Sequence, residues 1–137
     1  MRRAVLDPNI LISALLSPRG APARLVAQWL AGEFELVVSE RLLTELERAL
    51  AYPKLRARVS ADDATAFVEF LRESADVTAE PPETLPASSP DPGDDYLIAL
   101  AAASRAALVS GDRHLLGLGE RLPILPVQAY LDVLAGS

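Results

Sequence analysis

The sequence predicts an α/β fold with a parallel sheet at its centre. Short apolar runs rich in Val, Leu and Ile alternate along the chain with longer segments of helical character. This order is typical of parallel strands joined by right-handed helical crossovers, and the apolar runs indicate strands that are buried on both faces. The 137 residues contain no internal repeat and fit one domain, 1–137.

Each predicted strand is short and apolar, which suits a buried parallel sheet. The five strands span residues 3–6, 34–38, 76–79, 107–110 and 124–127. The helices span residues 21–31, 40–51, 61–74, 94–106 and 126–134. Pro22 favours a first helical turn, and Ser39 and Ser60 are typical N-caps. Gly32 and Pro53 each favour the end of a helix. The segment 80–92 is rich in Pro and predicts a surface connection.

The composition excludes several kinds of chemistry. The sequence has no Cys and a single His, His114, which argues against disulfides, thiol nucleophiles and a zinc site. No apolar run approaches the roughly 20 residues of a membrane span. The start of the chain lacks a signal-peptide core, so we expect a cytoplasmic protein. The net charge of −6 disfavours a general nucleic-acid binder unless bound divalent cations supply positive charge.

Two of the predicted strands lead to an Asp. Asp7 follows the first strand, and Asp112 follows the fourth after Ser110 and Gly111. In a parallel sheet, ligands bind outside the carboxyl ends of the strands, at the point where the strand order reverses. If these strands are neighbours there, the carboxylates converge, and a hard divalent cation is the commonest reason to hold carboxylates together. Each Asp also suits the N-cap of a following helix, so neither is decisive alone.

Two further acids accompany strongly apolar helices. Glu45 and Glu47 flank the apolar face of the second helix almost symmetrically, so helical periodicity does not choose between them. Asp95 begins the most apolar helix and is therefore expected near the core. Asp94 and Asp91 compete with it for the role of capping that helix. The residues by themselves leave the choice among these acids open.

Four blocks of the sequence, taken in order, resemble the PIN domain, and most closely its branch of toxin components related to VapC-type ribonucleases. The blocks are residues 5–16 around Asp7, 39–50 around Glu45, 91–101 around Asp95 and 108–116 around Asp112. They extend over nearly the whole chain. The resemblance implies a three-layer α/β/α domain with a central, mostly parallel five-stranded sheet.

The resemblance also implies a function, a metal-dependent endoribonuclease that cleaves single-stranded RNA with Mg²⁺ or Mn²⁺. It favours Glu45 over Glu47 and Asp95 over Asp94. The implied catalytic and metal-binding acids are Asp7, Glu45, Asp95 and Asp112, and the implied supporting residues are Asn9, Ser110 and Asp94. Arg residues close in sequence to these segments are candidates to bind the RNA: Arg19, Arg41, Arg48 and Arg113. A cognate antitoxin and a homodimer are the implied partners.

One departure from the family pattern is Pro8, which stands where the family usually has Thr or Ser. It removes a hydroxyl and a backbone N–H close to the expected metal. Because all four acids are present, we expect activity to persist. The alternative is a catalytically impaired PIN-fold module that binds RNA or protein. A haloacid-dehalogenase-type phosphatase is disfavoured, because it needs a second Asp where this chain has Asn9.

Overall fold

A single sheet of five parallel strands organises the protein. A computed structural model describes residues 2–81, 92–119 and 122–136. The strands are β1 (Arg3–Leu6), β2 (Glu35–Val38), β3 (Asp76–Val77), β4 (Ala107–Val109) and β5 (Ile124–Leu125). Their order across the sheet is β3-β2-β1-β4-β5, and every neighbouring pair is parallel. The predicted fold class is confirmed, with a sheet that is parallel throughout.

Eight α-helices accompany the strands in the described part of the chain. They are α1 (Pro8–Leu16), α2 (Ala21–Leu30), α3 (Glu40–Leu50), α4 (Pro53–Arg56), α5 (Ala61–Ser74), α6 (Asp95–Ser104), α7 (Arg113–Leu116) and α8 (Val127–Ala135). A 3₁₀ turn (Pro92–Asp94) leads into α6. Among the described residues, no helix has the length and apolar character needed to cross a bilayer.

The sequence signals at helix starts act as expected. The Ser39 side chain accepts a hydrogen bond from the backbone N–H of Leu42 at 3.2 Å, and Ser60 accepts one from that of Asp63 at 3.0 Å. These bonds satisfy donors that the first turn of a helix leaves without a partner. Gly32 ends the α2 region with φ 84°, a conformation that glycine adopts without strain.

The main differences from the predicted elements have local causes. α1 was not predicted as a helix, because residues 10–12 are apolar in succession and carry no helical period. α4 was not predicted because it is a single turn, and the Pro53 that ends α3 also begins it. Residues 78–79, 110 and 126–127 lie outside the strands predicted to contain them, and Pro126 instead caps α8. Most of the predicted connection 80–92 lies outside the described residues.

The strand order reverses at the β1–β4 pair. From β1 the chain moves outward to β2 and β3, then returns to place β4 on the other side of β1. Right-handed crossovers put α1 to α5 on one face of the sheet and α6 on the other. Accordingly, α6 packs on β1 and β4, while α1 packs on α2 and α3. This three-layer arrangement opens a crevice at the carboxyl ends of β1 and β4.

Ion pairs join the strands at the amino edge of the sheet, where β1, β2 and β3 begin. The guanidinium of Arg3 binds Glu35 Oε2 at 2.7 Å and Asp76 Oδ2 at 3.1 Å, joining the starts of β1, β2 and β3. Its Nε also donates to the carbonyl of Ser104 at 3.0 Å. Charges at the amino edge are therefore paired with each other.

Candidate functional site

The carboxylate of Asp7 occupies the end of β1 and is buried, with 5% of the residue exposed. The backbone N–H of Asp7 donates to the Val109 carbonyl at 3.0 Å, which continues the pairing of β1 with β4. Its Oδ1 accepts from the backbone N–H of Asn9 at 2.9 Å, and its Oδ2 accepts from Ser110 Oγ at 2.8 Å. Asp7 is also the N-cap of α1, so one carboxylate serves both the helix and the crevice.

Pro8 does not disturb this arrangement. It is the first residue of α1, a position where proline is favoured because its missing N–H would have no partner within the helix. The N–H that holds Asp7 belongs to Asn9. Asn9 is an exposed residue, and its contact with Asp7 is made by its backbone N–H. The hydroxyl that Thr or Ser would supply at position 8 remains absent.

Ser110 connects two of the predicted acids. The residue is fully buried just after β4, and its hydroxyl both donates to Asp7 and accepts from the backbone N–H of Asp112 at 3.0 Å. The Asp112 Oδ1 accepts from the backbone N–H of His114 at 2.7 Å and so caps α7, as predicted. The ends of β1 and β4 thus hold Asp7 and Asp112 in one hydrogen-bonded group.

The electrostatics of this group disfavour ionised carboxylates in the absence of a cation. Burial raises the pKa of Asp7, and the hydrogen bonds from Asn9 and Ser110 only partly oppose that effect. The negative charge of Asp112 raises the Asp7 pKa further. Asp112 is therefore within electrostatic reach of Asp7. A divalent cation between them would reverse this balance and favour ionisation.

Glu45 enters the site from the neighbouring helix α3. It is half-buried, whereas Glu47 is exposed. Glu45 Oε1 forms a salt bridge with Arg48 Nη1 at 2.9 Å, one turn along the same helix. Arg48 was predicted to bind RNA, but in this structure its guanidinium is engaged with one of the predicted metal-binding acids.

Tyr96, which the sequence reasoning did not single out, lies among the acids. The residue is 9% exposed. Burial raises the pKa of its hydroxyl, and the negative charges of Asp7, Glu45 and Asp94 raise it further. These carboxylates, from three separate segments, therefore lie within electrostatic reach of one buried hydroxyl. The available signal is an aromatic residue directly after an acid at a helix start.

Arg41 lies over the ring of Tyr96. Its guanidinium carbon is 4.5 Å from the ring centroid, a cation–π contact. The positive charge of Arg41 acts on the Tyr96 hydroxyl in the opposite sense to the carboxylates and lowers its pKa. The backbone N–H of Arg41 donates to Glu80 Oε1 at 2.9 Å. Two of the four Arg residues predicted to bind RNA therefore have contacts here: Arg48 with Glu45, and Arg41 with Tyr96.

The remaining predicted residues lie at the following positions. Asp95 is the first residue of α6 and Asp94 ends the preceding 3₁₀ turn, and both are half-buried. Arg113 begins α7 next to Asp112 and is exposed. Arg19 is exposed in the turn between α1 and α2, where its carbonyl accepts from Arg24 Nη1 at 3.4 Å. The competing acid at position 91 lies outside the described residues.

The donor chemistry of the site suits a hard divalent cation, although the side chains are not drawn together around a common point. Among the described residues, no three His, Asp or Glu side chains are close enough to hold one ion. One of the acids, Glu45, is engaged by Arg48. Carboxylate oxygens are the ligands that Mg²⁺ and Mn²⁺ prefer. The donor types of these residues therefore suit such an ion, and hydrogen bonds hold Asp7 in place among them.

Comparison with known proteins gives the family. A profile of the PIN domain matches residues 3–114, which contain all four predicted acids. The chain belongs to the PIN domain family. The resemblance seen in the sequence is therefore confirmed at the level of the family. PIN domains are generally nucleases, and thus hydrolases.

Individual proteins resemble the chain in sequence or in fold. The chain is 25% identical over 125 residues to the uncharacterized protein MJ1680 of Methanocaldococcus jannaschii, covering 91% of this chain and 80% of that protein. The structure of PAE2754 from Pyrobaculum aerophilum superposes with a TM-score of 0.66 at 19% identity, covering 100% of this chain and 91% of that one. The structure of VapBC2 from Rickettsia felis bound to a promoter DNA fragment superposes with a TM-score of 0.62 at 15% identity, covering 90% of this chain and 96% of that one. At these identities the two structures share the fold with this PIN domain.

Proposed function

We propose that this PIN domain is a metal-dependent endoribonuclease that cleaves the phosphodiester bonds of single-stranded RNA. The observation that carries the proposal is the buried Asp7 carboxylate, held by two hydrogen bonds beside Asp112 where the strand order reverses. Burying an ionised carboxylate is unfavourable because the group loses its hydration. Binding of a divalent cation would compensate for this loss, which supports a metal site at Asp7.

The residues divide the work of the site between them. Asp7, Glu45, Asp95 and Asp112 would hold Mg²⁺ or Mn²⁺. When bound, the cation supplies the Lewis acidity that activates water and the positive charge that a phosphate requires. Ser110 and the Asn9 backbone fix the orientation of Asp7, and Ser110 also fixes the start of the turn that carries Asp112. Asp94 adds negative charge at the same end of α6 and supports the group electrostatically.

We extend the proposal to a role as the toxin of a toxin–antitoxin pair. The four sequence blocks resemble the toxin branch of the family, and a VapBC2 structure is among the similar folds. A cognate antitoxin would then bind the domain. Co-expression with the product of an adjacent small reading frame should yield a complex that co-purifies, and should suppress the growth defect caused by the domain alone. Growth unaffected by the active domain would contradict the toxin role.

A homodimer is the proposed assembly. The last residue of α2, Leu30, is 58% exposed, and Val133 on α8 is 43% exposed. Helices α2 and α8 pack against each other, which places two exposed apolar side chains on adjoining elements. Sedimentation should give twice the mass of the chain, and Leu30→Asp should shift the protein towards monomer. A wild-type monomer at all concentrations would contradict this assembly.

The catalytic proposal is tested by RNA cleavage in the presence of Mn²⁺. Asp7→Asn and Asp112→Asn should abolish cleavage of a labelled single-stranded RNA while the far-ultraviolet circular dichroism spectrum stays unchanged. Glu47→Gln is the matched control, because it removes an exposed acid from the same helix that carries Glu45. Cleavage by Asp7→Asn at the wild-type rate, or no cleavage by the wild type with either cation, would contradict the proposal.

A binding module without catalysis is the second candidate. It is favoured by Pro8, which removes a hydroxyl beside Asp7, and by the separation of the acids among the described residues. Such a module would bind RNA or a protein partner with equal affinity in Mn²⁺ and in EDTA. A Mn²⁺-dependent cleavage activity excludes this alternative.

A further inference from the structure

We propose that Arg41 binds a phosphate of the substrate strand beside the carboxylates, and that Tyr96 is the residue that positions it. This inference rests on the proposed function and adds a substrate contact to it. It depends on three features: within the part of the chain that the structure describes, Arg41 forms no ion pair; its side chain lies over the ring of Tyr96; and that ring directly follows Asp94 and Asp95 at the start of α6.

Arg41 keeps its charge available because its natural partner is engaged elsewhere. Glu45 lies one turn further along α3, at the i+4 position where an ion pair can form. Glu45 is instead bound to Arg48 at 2.9 Å. An Arg placed before a Glu is also the less favourable order for such a pair. Within the described residues, Arg41 forms no salt bridge with any carboxylate.

Tyr96 holds the guanidinium in a defined place. The ring is buried at the start of α6, and the guanidinium carbon lies 4.5 Å from its centroid. A flat guanidinium over an aromatic face gains cation–π attraction and loses conformational freedom before any ligand arrives. The N–H groups at its edge remain able to donate to a phosphate in a bidentate manner.

The backbone beneath Arg41 is fixed as well. Its N–H donates to Glu80 Oε1, and the neighbouring N–H of Leu42 donates to the buried cap Ser39. The first turn of α3 is therefore anchored on both sides of the Arg41 side chain. The rotation that carries Arg41 away from the site would require loss of the contact with Tyr96.

The positive charge of Arg41 would reduce the repulsion between the acids and a phosphate. The protein has a net charge of −6, and Tyr96, the ring under Arg41, directly follows Asp94 and Asp95 at the start of α6. A phosphate that approaches the acids is repelled by those that a metal does not neutralise. The guanidinium of Arg41, held over Tyr96, offsets that repulsion and provides a binding point for one phosphate of the RNA strand.

The inference is tested by RNA binding in the Asp7→Asn protein, which does not cleave its ligand. The affinity for a labelled single-stranded RNA is measured by fluorescence anisotropy over a series of salt concentrations. Arg41→Gln should weaken binding roughly tenfold, as expected for one charge-assisted contact. It should also reduce the slope of log affinity against log salt by about 0.7, the value for one phosphate contact on a single strand.

Tyr96 variants separate positioning from folding. Tyr96→Phe keeps the ring and should bind as the parent does, whereas Tyr96→Leu should resemble Arg41→Gln in both affinity and salt slope. Arg105→Gln is the charge-matched control, because Arg105 is exposed at the far end of α6, about 14 Å along the helix from Tyr96. It should leave the salt slope unchanged.

The outcomes distinguish this inference from the proposed function. Parent-like affinity and slope in Arg41→Gln would overturn the inference even if the wild type cleaves RNA. A loss in Tyr96→Phe equal to that in Tyr96→Leu would overturn the positioning role. Absence of any RNA binding by the parent would overturn the inference too. The wild-type cleavage assay in Mn²⁺ reports separately on the catalytic proposal.

Discussion

At the scale of single residues, the protein places a few polar side chains where its strands end. Asp7 and Asp112 could be predicted from sequence, because each follows a strand and parallel strands end at one edge. The contacts of Tyr96, Arg41 and Arg48 could not be predicted. The contact between Arg41 and Tyr96 depends on how α3 and α6 are placed relative to each other, and local sequence patterns do not predict that placement.

Asp7 makes the stability of the metal-free protein depend on pH. Its folded-state pKa is raised above the ordinary value of 3.8, so the protonated form is favoured in the folded state. The stabilisation is fully present below that value and is lost as the pH rises through the folded-state pKa. In EDTA, Asp7→Asn should therefore gain stability relative to the wild type as the pH rises above 3.8. Urea denaturation at several pH values measures the difference, and a constant difference would contradict the assignment.

Ser110 offers a second test at this scale. Ser110→Ala removes the hydrogen bonds that its hydroxyl makes with Asp7 and with the Asp112 backbone. It should cost about 1–3 kcal/mol of stability and about tenfold or more in Mn²⁺ affinity. Ser39→Ala is the matched control, a buried serine whose loss should cost about 1 kcal/mol as a helix cap. Both variants lose stability, but only Ser110→Ala should lose metal affinity. Equal metal affinity in the two would contradict the role of Ser110.

At the scale of elements, strong local signals gave accurate bounds. α5 lies where it was predicted, since Ser60 caps it and acids occupy its first turn. α4 was missed because a four-residue helix carries little periodicity. α1 was suggested only by Asp7 as a possible N-cap, because the apolar run at residues 10–12 carries no helical period. Helix α6 has six consecutive buried residues, so it serves mainly as a rigid support that holds Asp95 and Tyr96 at the crevice.

The connection from α6 to β4 contains a strained residue. Arg105 has φ 53° and ψ 44°, the left-handed conformation that side chains disfavour. Arg105→Gly relieves that strain and should stabilise the protein by about 1 kcal/mol, after allowance for the greater freedom of glycine in the unfolded chain. Arg105→Ala keeps the strain and removes the charge, so it should bring no such gain. Chemical denaturation compares the three proteins, and equal stability of the Gly and Ala variants would contradict a backbone origin.

At the scale of the whole molecule, charge is distributed unevenly across the sheet. Two acids at the amino edge are bound by Arg3, whereas at the carboxyl edge the negative charge of Asp112 acts on the buried Asp7. The alternation of strands and helices predicts a parallel sheet but not the order of its strands, so the adjacency of β1 and β4 was only a condition of the sequence argument. The separation of the acids could not be predicted either, because the positions of individual side chains depend on packing and on the ligand.

The fold should be coupled to the cation. A cation that binds only the folded protein stabilises it by about 2.7 kcal/mol at about 100 times its Kd. For a chain of this length that corresponds to a rise in Tm of roughly 5–10 °C. Wild-type protein should show the rise with Mg²⁺ or Mn²⁺ relative to EDTA, and Asp112→Asn should show little of it. The same Tm in both conditions would count against the site.

The most direct measurement of the central claim is a calorimetric titration of Mn²⁺ into the wild type, Asp7→Asn and Glu47→Gln. If the acids at the carboxyl edge form one cation site, the wild type and Glu47→Gln bind Mn²⁺ alike and Asp7→Asn does not. If the wild type binds no Mn²⁺, or if Asp7→Asn binds it as tightly as the wild type, the acids do not form a cation site centred on Asp7.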